Sequence, residues 1–157
     1  MCRALISRLY RRSRGALVVL ALCGGTTAGA APVLDTGLNG SWWNPDQDGQ
    51  GFVIHLIPAS NQIFVAWFTF ENSESGKQMW LTGSGNLDSN PVSLELLSST
   101  GGRLNAAEPA PSSTVWGTAE LRFDSCTGGV FSYSGARSGS ISIERLTPVV
   151  SCTEGAR

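Results

Sequence analysis

The chain has 157 residues, 15% of them charged, with four cysteines, one histidine and a formal net charge of −1. Arg3, Arg8, Arg11, Arg12 and Arg14 crowd its start, and without that segment the remainder carries about −6. That balance excludes the basic stripe which nucleic acids and anionic membrane surfaces require. Without residues 1–30, one histidine and two cysteines remain, too few for a Cys/His zinc site.

The elements begin with an export signal. The arginines precede "GALVVLALCGG" (15–25), an apolar run shorter than the roughly 20 residues that cross a bilayer. "AGA" (28–30) then supplies small residues for signal peptidase. The expectation is a signal peptide over residues 1–30 and one domain over 31–157, periplasmic or secreted, with no membrane attachment after cleavage. Cys23 is a rival lipid-anchor site, but Leu22 precedes it where lipobox sequences resemble Gly, Ala or Ser. "RRSRGAL" has paired arginines without the rest of a twin-arginine pattern, so Sec export is expected.

Trimming leaves Cys126 and Cys152, and an exported chain with two cysteines most simply pairs them. Closing a loop of about 26 residues stabilises by about 3.5 kcal/mol in the chain-entropy model. Two buried free thiols are the alternative.

From here the chain reads as short β-rich runs between turn signals, and no window shows an apolar period of 3.6. In order they are "GSWWN" (40–44), "GFVIHLI" (51–57), "QIFVAWFTF" (62–70), "KQMWLTGSGNL" (77–87), "PVSLELLSS" (91–99), "VWGTAELRFD" (115–124), "GGVFSYSG" (128–135) and "GSISIERL" (139–146). "PASN" (58–61) and "NSESG" (72–76) read as hairpin loops. "TGGRLNAAEPAPSST" (100–114), polar with two prolines, reads as a surface loop. The expected fold is all-β, an antiparallel meander of about eight strands closed as an up-and-down barrel; a two-layer β-sandwich is the alternative.

Alternation predicts half-burial for several strands. Ile141 and Ile143 oppose Ser140, Ser142 and Glu144; Ala119, Leu121 and Phe123 oppose Thr118, Glu120 and Arg122. The run at 62–70 is apolar on both faces, with Ile63, Val65 and Trp67 opposing Phe64, Phe68 and Phe70. Such a strand is central and covered, or shows one aromatic face to a ligand or partner.

"GSWWNPDQDGQGFVIHL" (40–56) admits several readings. Asn44, Asp46 and Asp48 reproduce the alternating oxygens of the first half of a calcium loop, but His55 stands where the bidentate glutamate belongs. The competing reading is a pair of turns, Asn-Pro then Asp-Gly, before the strand at Gly51. The aromatic reading takes Trp42, Trp43, Trp67, Trp80 and Trp116 as ligand-binding residues ringing one end of a barrel, against core filling by the same side chains. Adjacent Trp42 and Trp43 point to opposite faces of an extended strand.

Catalytic sets are weaker. His55 with Asp46 or Asp48 lacks a Gly-x-Ser-x-Gly nucleophile elbow. It shares a face with Val53 and Ile57, as a hydrogen-bonded strand histidine would. Asp46, Asp48, Glu71 and Glu120 offer carboxylates without a spacing that selects two of them. No catalytic residue and no cofactor is expected.

"GSWWNPDQDGQGFVIHLIP", "IFVAWFTFENSESGKQMWLTGSG", "WGTAELRFDSC" and "IERLT" together resemble a domain family of exported proteobacterial proteins, over residues 37–148. Its pattern is Gly-x-Trp-Trp/Tyr-Asn/Asp-Pro, then Gly-x-Gly-Phe, an aromatic strand and Gly-x-x-x-Trp-Leu. The family carries no assigned activity and occurs alone or appended to larger secreted proteins, which implies a binding or accessory module. The first strand and the meander also resemble avidins in layout, without carrying over biotin-binding residues. The functional expectation is a non-catalytic binding module for a glycan or small apolar molecule. The alternatives are a periplasmic protein-binding inhibitor of a protease or lysozyme, and a minor enzyme activity at Asp48, Glu71 or His55.

Overall fold

Each short run of alternating apolar residues forms a strand, and each turn signal between them reverses the chain. The structure, a computed structural model, describes residues 30–155. The expected signal peptide up to residue 29, Cys23 included, lies outside them. The strands are β1 (Gly40–Trp43), β2 (Gly51–Ile57), β3 (Gln62–Phe70), β4 (Gln78–Asn86), β5 (Val92–Thr100), β6 (Ser112–Phe123), β7 (Gly128–Ser134) and β8 (Ser138–Arg145). Every strand pairs antiparallel with its sequence neighbours, and β1 closes on β8 through Trp42↔Arg145 and Trp43↔Glu144. The expected up-and-down barrel is therefore the fold, and the sandwich is not.

Alternation gives the strands an apolar face, and closure turns that face inward. Phe52, Ile54 and Leu56 of β2, Ile63, Val65 and Trp67 of β3, Leu121 and Phe123 of β6, and Ile141 and Ile143 of β8 all point inward into one buried cluster. An eight-stranded barrel has an interior just wide enough for side chains to fill, and here they fill its middle and one end. Inward-facing Gly83 on β4 makes the room: a Cβ there would stand 2.9 Å from Leu96 Cδ2 on β5.

One boundary differs from the sequence reading. β6 starts at Ser112, inside the segment read as loop, because Ser112–Thr114 pair with Ser98–Thr100 of β5 and Ser99 Oγ lies 2.8 Å from Ser113 Oγ. Both faces of that extension are polar, so no apolar alternation marks it.

The two ends differ. At one end a 3₁₀ turn (Thr36–Leu38) sets Leu38, fully buried, into the barrel as a plug. The Cys126–Cys152 disulfide forms as expected, tying the segment after β8 to the turn between β6 and β7. Val33 N–H donates to Thr153 O at 2.9 Å, so both flanking segments cross this end together. The opposite end, ringed by the β1–β2, β3–β4, β5–β6 and β7–β8 loops, has no plug among the described residues.

Candidate functional site

The open end carries a cavity of about 700 Å³ lined by Trp67, Thr69, Met79, Trp116, Tyr133 and Arg137, among others. Its floor is aromatic because β3 and β7 each carry an inward aromatic near the open end, Trp67 and Tyr133. Trp67 stacks on Phe52 at 5.7 Å, meets Tyr133 at 4.9 Å, and meets Trp116 edge-on at 6.0 Å.

Trp116 reaches the mouth by a local irregularity. Its position along β6 has the same parity as Thr118, Glu120 and Arg122, which an unbroken strand would hold outside. The pairing with β5 slips between Leu96 and Leu97, so Leu96 faces Gly117 while Leu97 faces Val115. Trp116 is the extra residue of that β-bulge, and the bulge turns its ring inward. Two glycines leave it and Tyr133 their space: a Cβ on Gly135 would meet the Trp116 ring at 2.6 Å, and one on Gly139 would meet Tyr133 Oη at 2.6 Å.

Polar groups stand around this floor. Thr69 Oγ1 donates to Gln50 Oε1 at 2.8 Å on the wall. Across the mouth, with the Asn72 amide turned oxygen-inward, its oxygen accepts from Arg137 Nη2 at 2.7 Å and Nε at 2.8 Å. Trp67 is 4% exposed and its Nε1–H has no hydrogen-bond partner, one of two such buried side-chain atoms among the described residues. A buried donor left unpaired costs about 1–3 kcal/mol.

The five tryptophans of the sequence reading do not form one ring. Trp67 and Trp116 meet at the mouth. Trp42, 1% exposed, lies toward the plugged end, where it packs on Phe123 at 5.4 Å and donates from Nε1 to Leu38 O at 3.2 Å. Trp43 is on the outer face of β1, half-buried. Trp80 is 54% exposed on the outer wall, opposite Phe68 of β3. The ring fails because β2 and β5 intervene between the tryptophan-bearing strands, and because strand parity sends two of the rings outward. Tyr133, absent from the sequence-derived set, completes the mouth; its signal was its place on the inward face with Phe131.

The remaining candidates scatter. Asn44 Oδ1 accepts from Asp46 N–H at 2.8 Å, an Asx turn of the kind the turn reading of this segment expects. Among the described residues no three His, Cys, Asp or Glu side chains cluster as metal ligands. His55 shares the outer face with Val53 and Ile57, opposite Phe64, but is exposed and makes no side-chain hydrogen bond among the described residues. Its direct cross-strand neighbour on that face is Phe64, which offers no polar atom. Glu71 lines the mouth and Asp48 sits in the β1–β2 loop, so His55 shares a site with neither. No family model, curated protein or solved structure matches the chain.

Proposed function

We propose that the protein is a non-catalytic binding module that holds one small ligand in the open end of its barrel. The observation that carries this reading is the buried, unpartnered indole N–H of Trp67 beneath a cavity of about 700 Å³. Such a volume suits a small molecule, with an aromatic floor to carry its body and polar groups around the rim to orient it. Nε1 has almost no exposed surface, so an acceptor reaches it as Met79, Trp116 or Tyr133, all half-buried, gives way. The disulfide is compatible with an oxidising, exported location, as the expected signal peptide requires.

Native mass spectrometry of the periplasmically expressed chain tests this. A bound mass that disappears on denaturation, and that Trp116→Ala loses while keeping its disulfide, is the expected result. A bare chain from both proteins counts against the reading.

A second reading has its own observation. Phe64, Phe68, Phe70 and Trp80 are exposed along the outer faces of β3 and β4. An aromatic wall of this kind also suits a protein partner. Trp80→Ser would abolish such an interaction and leave the mouth unchanged.

A further inference from the structure

The β3–β4 and β7–β8 hairpins are half the circumference apart in this barrel, since β5 and β6 separate them on one side and β1 and β2 on the other. Asn72 belongs to the first loop and Arg137 to the second. Their contact therefore bridges the mouth from rim to rim, over the aromatic floor.

Arg137 is held in this strap by a neutral group. The Asn72 oxygen takes Nε–H and one Nη2–H. A guanidinium has five N–H donors, so those of Nη1 and the second of Nη2 remain. Among the described residues the only ion pair is Arg122–Asp124, on the outer wall, so no carboxylate stands within ion-pair distance of Arg137. Glu71 lines the same cavity from the exposed rim without pairing with it. A cation whose plane is fixed in advance and whose charge is unanswered is a receptor for a planar anion, because a carboxylate accepts two parallel N–H bonds from a guanidinium edge.

Resting on the ligand-binding reading above, we propose that the mouth takes a small amphipathic carboxylate. Its apolar body lies on Trp67, Trp116 and Tyr133, and its carboxylate binds the free edge of Arg137 under the Asn72 strap. Asn72 positions the guanidinium and touches no ligand.

The test is titration of the ¹⁵N-labelled chain with 1-naphthaleneacetate and with 1-naphthaleneacetamide, a pair matched in shape and differing in charge, read at the indole N–H resonances. The acid is expected to shift Trp67 and Trp116, leave Trp42 in place, and bind at least about tenfold tighter than the amide. Arg137→Gln should bring the acid down to the amide, Arg137→Lys should keep part of the preference, and Glu71→Gln should strengthen the acid a few-fold. Asn72→Ala should weaken the acid while leaving the amide unchanged. Equal binding of acid and amide, or a preference that survives Arg137→Gln, overturns the carboxylate assignment but leaves the cavity reading standing, because the mouth indoles still move. Indoles unmoved by either compound also overturn the assignment, and the cavity reading is then decided by the co-purified mass.

Discussion

The two ends of the barrel hold the same kinds of side chain in opposite conditions. At the plugged end Trp42 has its indole N–H on Leu38 O and the Arg145 guanidinium over its ring at 5.6 Å. Arg145 donates to Gly37 O and Asn39 O at 2.6 Å and to Thr147 O at 3.1 Å. At the open end Trp67 has no partner for its indole N–H, and Arg137 has one amide oxygen. One tryptophan–arginine set is tied down by four hydrogen bonds to the protein's own backbone, and the other by a single amide oxygen. Buried polar groups are normally satisfied. The plugged end leaves Thr147 Oγ1 without a partner, but only at the open end does the unpaired donor lie beside a cavity, which is what supports the proposed ligand site.

Breaking the plugged end should cost stability and spare the mouth. Replacing both Cys126 and Cys152 with serine should lower unfolding free energy by about 3.5 kcal/mol, read as a lower denaturant midpoint. The Trp67 and Trp116 indole resonances of the folded variant should not shift; if they do, the ends are coupled and the contrast fails.

The arginines sharpen the comparison. Arg145→Met strands three backbone acceptors and should cost about 2 kcal/mol, whereas Arg137→Met should cost under about 0.5 kcal/mol, both from urea melts. Burial lowers the Arg145 pKa from its ordinary value. With the folded pKa below the unfolded one, the unfolded chain binds the proton more tightly in the window between them, so stability from this group rises with pH there. That window lies far above neutrality, and the Arg145→Met penalty should be unchanged between mildly acidic and mildly alkaline buffers.

A smaller difference separates the indoles. Trp42→Phe gives up a satisfied hydrogen bond and a cation–π contact and should cost about 1.5 kcal/mol. Trp67→Phe removes an orphaned donor along with some ring area, so its cost should stay within about 0.5 kcal/mol. Equal penalties in thermal melts would mean that the Trp67 N–H is satisfied in solution. Least of all, Trp80→Ser on the outer wall should change stability by no more than about 0.5 kcal/mol.

Much of this was legible in residue order. Alternation located the strands to within a few residues, and it separated the inward Ile63, Val65 and Trp67 from the outward Phe64, Phe68 and Phe70. The cysteine pairing followed from there being no other partner after the expected cleavage. The site was less legible. Trp116 was named as a candidate by residue type alone, because counting in twos would hold it outside and only the one-residue bulge brings it in. Asn72 and Arg137, like the plug at Leu38, sit in segments where no periodicity operates.

By itself, then, the amino-acid sequence determined a meander of alternating strands with one covalent clip, because a period of two and the turn chemistry between runs are local properties of the chain. Only the tertiary structure decided that Trp42 and Trp67 lie toward opposite ends, that a bulge brings Trp116 inside, and that Arg137 meets Asn72 across the mouth. Alternation states whether a side chain faces in or out. Height along the axis and the partner across the diameter are set by closure and register, which depend on the pairing of all eight strands at once.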